Sequence, residues 1–98
     1  MATATVALEG TGTLSTTETM SANSITIGDR ALALNVYLSD TTDGTFSIGT
    51  STDAVTLPNS TWVEVYRRES TDNTGDKTVY FATGSGRGTQ SVFYRVTA

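Results

Sequence analysis

Three glycines surround one arginine in "TGSGRGT", residues 83–89. A glycine-rich turn with a positive tip is the kind of element that wraps backbone N–H groups around an anion. The spacing argues against a nucleotide site. A dinucleotide fingerprint needs G-x-G-x-x-G between a strand and a helix, whereas here Thr89 occupies the third glycine position and a strand-like run follows. A P-loop needs G-x-x-x-x-G-K, and this segment has no lysine. A hairpin loop whose glycines supply positive φ accounts for the same residues. Arg87 at its tip remains a candidate contact for a partner.

Two further clusters could do chemistry. "SDTTDGT" (39–45) and "STDNTGD" (70–76) gather aspartates around a glycine in the manner of calcium loops. Neither has the alternating ligands, glycine and closing glutamate of an EF-hand. The alternatives are one calcium ion held between loops, or turns built by Asp and Asn side chains bonding to nearby backbone. Trp62 and four tyrosines could stack on sugar rings. Trp62 stands in step with Tyr66, which reads more readily as a core or interface position. Glu64 lies between them and, if buried, needs Arg67, Arg68 or Arg95 as a partner. Asn59-Ser60-Thr61 is a formal glycosylation sequon that arises readily by chance in a chain so rich in Ser and Thr.

Histidine and cysteine are both absent. That removes the commonest general base, the commonest metal ligand, thiol nucleophiles, disulfides and every Ser-His-Asp arrangement. A non-enzymatic protein without a cofactor is therefore expected. Ten acidic and six basic residues give a net charge of −4, and Lys77 is the single lysine. This balance argues against a nucleic-acid partner. No apolar run approaches a membrane span, and "MATATVALEG" lacks the basic and apolar regions of a secretory signal, so no membrane partner is expected and synthesis in a cytoplasm is.

The elements that must position these residues are strands. Leu32, Leu34, Val36 and Leu38 alternate with Ala31, Ala33, Asn35 and Tyr37, a strict step of two that rejects a helix. Ile25 and Ile27, Phe46 and Ile48, Val55 and Leu57 repeat the pattern in shorter runs, separated by "GDR", Asp43-Gly44 and Pro58-Asn59. Ala4, Val6 and Leu8 suggest one strand near the start. Beyond Gly10 the signal fades, so residues 1–23 read as an extended N-terminal arm or an edge strand. Around eight short strands in one domain, residues 1–98, imply an all-β fold, an antiparallel β-sandwich or jelly roll.

Several strands are apolar on both faces. In "TWVEVYRRE", Trp62, Glu64 and Tyr66 alternate with Val63, Val65 and Arg67, and the runs Val79 to Phe81 and Val92 to Tyr94 cannot hide every side chain on one face. A sandwich buries only one face of each strand. Val63, Val65, Tyr80 and Phe93 are therefore candidates for a second covered face, with Arg67, Arg87 and Arg95 as charged contacts beside it. Either a loop or the N-terminal arm covers this face, or another subunit does, since a domain this small gains burial by oligomerising.

The stretches "NVYLSDTTDGTFSIGTSTDAVTLPNSTWVEVYRR" and "KTVYFATGSGRGTQSVFYRV" resemble small virion structural proteins of tailed phages, of the capsid decoration or cement type. The likeness covers about residues 32 to 96. It is one of layout: a "VYLSD"-like strand, a glycine-rich segment, an "L-P" stretch leading to a strand, and a "VYFATGSG"-type hairpin before the last strand. The inserted "RRESTDNTGD" departs from that layout. The resemblance implies a β-sandwich on the outer capsid surface of the virion, bound to the major capsid protein and bridging capsomers, as a homo-oligomer in which a trimer is favoured over a dimer. A tail, fibre or host-attachment module binding a carbohydrate or protein receptor is the competing expectation.

Overall fold

The computed structural model describes residues 2–69 and 75–98. Its strands are β1 (Ala2–Val6), β2 (Gly10–Thr16), β3 (Asn23–Ile27), β4 (Ala33–Ser39), β5 (Gly44–Ile48), β6 (Val55–Leu57), β7 (Trp62–Arg67), β8 (Lys77–Ala82) and β9 (Gln90–Thr97), with one 3-10 turn, Met20–Ala22, before β3. They form a five-stranded sheet in the order β1-β3-β8-β5-β6 and a four-stranded sheet in the order β2-β9-β4-β7. The inner faces of the two sheets share one apolar cluster, which makes the molecule an all-β sandwich. Every pairing between these strands is antiparallel except β1 with β3, which is parallel.

Alternation decides which side chains enter the core. Leu34, Val36 and Leu38 of β4 face inward and are fully buried, as do Ile25 and Ile27 of β3, Val79 and Phe81 of β8, and Val92 of β9. Each such side chain contributes about 1.5–3 kcal/mol of transfer free energy relative to an exposed position. Leu14 and Thr16 bring β2 into the same layer, and Leu57 is the inward residue of the short β6. Leu32 belongs to no strand and is exposed at the approach to β4.

The N-terminal stretch takes edge positions, as two strands in different sheets rather than one. Ala2, Ala4 and Val6 pack partly buried on the core as edge strand β1. The chain then crosses between sheets through residues 7–9, leaving Leu8 exposed, and continues as β2 at the edge of the other sheet. Tyr94 lies across Gly12, its register partner on β9, in space that a β-carbon at residue 12 would need. Only glycine fits this close approach, and β2 is further anchored by the buried Leu14 and Thr16. A second crossing, from β2 to β3, is fixed by Asn23, whose buried amide nitrogen donates to the carbonyls of Thr17 (3.2 Å), Thr19 (3.0 Å) and Phe81 (3.1 Å).

One irregularity reorders β7. Leu34 pairs with Tyr66 and Asn35 with Glu64, so Val65 is an extra residue, a β-bulge. The bulge turns Val65 and Tyr66 both inward, where they are 5% and 8% exposed. Trp62, Glu64 and Arg67 are left on the outer side. The expected face shared by Trp62 and Tyr66 is thus split, because simple alternation holds only up to the bulge.

Candidate functional site

The glycine-rich loop between β8 and β9 is held from two directions. Gly86 and Gly88 both adopt positive φ, 79° and 67°, and their N–H groups donate to the two carboxylate oxygens of Glu18, at 2.9 and 3.1 Å. The loop therefore does cradle an anion, and that anion is a side chain of its own chain. Arg87 folds back as well. Its Nε and Nη2 donate to the Asp40 carboxylate, the shortest contact being 2.7 Å, and Nη2 also donates to Thr41 Oγ1 at 2.9 Å. Asp40 is almost inaccessible, with 1% of its side chain exposed against 36% for Arg87.

The hydrogen bonds from Arg87 hold the Asp40 carboxyl below the usual carboxylate range, against the upward push of burial and with help from the Thr41 and Thr42 N–H groups. The same contact raises Arg87 further above its ordinary value. Asp43 accepts from the N–H of Asn59 at 3.0 Å, while the Asn59 amide and the Ser60 hydroxyl both donate to the carbonyl of Asp40 at 2.8 Å. The aspartates of "SDTTDGT" thus build loops and pair with arginine. Among the described residues no group of three or more acidic side chains is placed to hold a metal ion. Residues 70–74 of "STDNTGD" lie outside the described residues.

The outer face of the four-stranded sheet is different in kind. Tyr37 of β4 has Trp62 of β7 as register partner on one side and Phe93 of β9 on the other, with Thr13 of β2 beyond it. Cross-strand partners lie about 5 Å apart and side chains on one face touch. Accordingly the rings form a continuous row, with centroids 5.7 Å apart for Tyr37 and Trp62 and 6.1 Å for Tyr37 and Phe93. Trp62 is 47% and Phe93 39% exposed, so water reaches both ends of the row.

A charged row runs beside the aromatic one. Glu64, Asn35, Arg95 and Thr11 are successive partners across β7, β4, β9 and β2. Arg95 reaches diagonally so that its guanidinium carbon sits 4.9 Å from the centre of the Trp62 ring. Cation–π contact of this kind orients the arginine at modest energy, about 0.5–1 kcal/mol at an exposed site. Glu64 pairs with Arg67 across the bulge at 2.7 Å, and this raises Arg67 above its ordinary value. Arg68, which the sequence offered as another partner for Glu64, instead donates to the carbonyls of Ala31 and Gly28, both at 2.9 Å.

The seven residues expected at a partner surface are therefore scattered. Phe93, Arg95 and Arg67 do share the outer face of the four-stranded sheet. Val65 belongs to the core and Val63 packs against it, a correction that follows from their inward position in β7. Tyr80 stands on the other sheet, between Ser24 and Ser47. Arg87 is engaged with Asp40 rather than offered at a free tip. Tyr37 and Asn35, which complete the two rows, were placed by alternation opposite the leucines of β4 but not singled out. Trp62, expected in a core or interface, is a half-exposed surface residue. No family model, curated protein or solved structure matches the chain.

Proposed function

We propose that the chain is a non-enzymatic structural protein of a virus particle, of the capsid decoration type, which binds the outer surface of the shell and reinforces it by bridging capsomers. The observation that supports this reading is the outer face of the four-stranded sheet, where Trp62, Tyr37 and Phe93 form an open row flanked by Arg95, Glu64 and Arg67. Aromatic and arginine side chains on a flat, rigid sheet are the composition of a protein-binding surface. The layout of residues 32 to 96 resembles that of decoration proteins, and a small sandwich whose β4–β5 and β8–β9 loops are tied down suits a mechanical role.

The direct test is co-sedimentation of the purified chain with empty shells of the parent virus. Binding that saturates at a fixed ratio to capsid protein is expected, together with a higher temperature or denaturant midpoint for the decorated shell. No sedimentation at concentrations far above the number of capsid sites overturns the reading.

One observation favours a second reading, a host-attachment module that binds a carbohydrate receptor. Trp62 is half exposed with Asn35 and Glu64 one row away, which puts a stacking surface beside hydrogen-bonding groups. Quenching of Trp62 fluorescence by one class of glycan, with saturation, would support it over shell reinforcement.

A further inference from the structure

Resting on the reading of that sheet face as a protein-binding surface, we propose that its occupant is the same face of a second copy, so that the working unit is a twofold dimer joined through the four-stranded sheets. The order of side chains across three strands makes this face complementary to itself. Reading from β7 through β4 to β9, one row is Trp62, Tyr37, Phe93 and the next is Glu64, Asn35, Arg95. A second sheet laid face to face and related by a half-turn about an axis along β4 keeps the rows aligned but reverses their order. Tyr37 then meets Tyr37, Trp62 meets Phe93, Asn35 meets Asn35, and Glu64 meets Arg95 twice. An isologous contact has to be self-complementary in this sense, and both the apolar row and the charged row meet that condition.

The charges inside one chain point the same way. Arg95 lies over Trp62 and, among the described residues, has no carboxylate or hydrogen-bond partner. Glu64 is bound to Arg67 through one of its two oxygens, Oε1. Its other oxygen is available to an arginine arriving from above. In the dimer each Glu64 bridges Arg67 of its own chain and Arg95 of the other. The threonines of β2, Thr11 and Thr13, fall outside the overlap of the two sheets and supply a polar rim.

Size sets the expected strength. Three strands spaced about 4.8 Å apart and about 20 Å long give a footprint well below the roughly 800 Å² per partner of a standard stable interface. The free dimer is therefore expected to dissociate in the micromolar range, roughly 10–100 µM. On a particle, where many copies sit close together, the effective concentration exceeds this and the pairs close.

Sedimentation velocity on the full chain between about 10 and about 500 µM, a range that brackets this dissociation constant, reads the association directly. Wild type is expected to pass from monomer to dimer. Glu64→Arg sets like charges opposite each other, as does Arg95→Glu, and each single variant is expected to weaken the dimer about tenfold or more. The double variant E64R/R95E restores opposite charges at both contacts and is expected to return to within about threefold of wild type. Melting curves on all four proteins separate loss of pairing from loss of fold. A single species of monomer or trimer mass throughout overturns the proposal, as does a double variant no better than the worse single one. Run beside the shell co-sedimentation, the two outcomes are distinguishable: shell binding by a strictly monomeric chain defeats the dimer alone, and a dimer that ignores shells defeats the decoration reading alone.

Discussion

On the outer face of the five-stranded sheet, Thr26 and Thr78 stand side by side with their hydroxyl oxygens 2.9 Å apart, and Ser47 is closed off by the N–H of Asp53 at 3.1 Å. Tyr80 is the aromatic there, set between Ser24 and Ser47. Equivalent outward positions of the four-stranded sheet hold Trp62, Tyr37 and Phe93 in one row and Glu64, Asn35 and Arg95 in the next. Both sheets fold by burying their inner sides, so neither needs anything apolar outside. This outer face is rich in hydroxyls, with Ser47 itself buried and Tyr80 its one large ring. Against that background, three adjacent aromatics with exposed ends carry a cost in solubility that folding does not explain.

If burial separates structural from functional aromatics, the sharpest contrast lies within β8. Phe81→Ala removes a fully buried ring from the shared core and is expected to cost about 3–5 kcal/mol. Tyr80→Ala, one residue away on the outer side, should cost far less. Urea titration of both variants measures the difference. Equal losses would mean that the outer face of the five-stranded sheet is also structurally engaged.

Polar residues divide in the same manner. Asn23 is 1% exposed and ties the β2–β3 crossing to the Phe81 carbonyl. Asn23→Ala removes the side-chain donor to the Phe81 carbonyl, while the carbonyls of Thr17 and Thr19 keep the N–H groups of Thr83 and Ala22, for an expected loss of about 1–3 kcal/mol. Asn35, half-buried on the outer face, should tolerate the same change with little effect on the melting temperature. A temperature series on the two alanine variants checks this ordering.

Acid is expected to loosen the loop end of the sandwich before its sheets. The folded-state pKa of Asp40 is depressed, chiefly by Arg87, so the ion pair contributes fully above the unfolded carboxyl value of about 3.9 and is lost as pH falls below it through the folded value. Melting temperature followed from neutral pH to about pH 2 should drop more steeply through this window in wild type than in Asp40→Asn. The variant should be the less stable protein at neutral pH. Parallel curves for the two would show that Arg87 does not rely on Asp40.

Much of this architecture was legible in the sequence because alternation is a local signal. The inward leucines of β4, the isoleucines of β3 and the outward Tyr37 and Asn35 all follow from a step of two. What escaped was set by contacts distant in sequence or by a break in the step. The bulge at Val65 moved Tyr66 inward and left Trp62 outside, and no turn residue marks it. The pairing of Glu18 with Gly86 and Gly88 joins positions some seventy residues apart. The glycines read as a hairpin loop with positive φ, and nothing local said that two of their N–H groups would hold a carboxylate of the same chain. The fit of Gly12 under Tyr94 in strand β2 is a relation visible only after pairing.

A small expected effect on stability, at Trp62, is the most informative about the outer face. Trp62 is half exposed, packs at a tilt against Tyr37 and carries Arg95 above it, so Trp62→Ala forfeits one aromatic pair and one cation–π contact, together about 1 kcal/mol. That is a melting shift of a few degrees for a domain of this size, against the much larger loss at Phe81. Association should respond in the opposite proportion. Removing Trp62 takes away the partner of Phe93 across the twofold axis. Sedimentation of Trp62→Ala at the highest concentration at which wild type pairs should therefore find monomer with a nearly intact fold. A variant that melts several kcal/mol early yet still dimerises would reverse the assignment, making Trp62 part of the scaffold and leaving the face without its anchor.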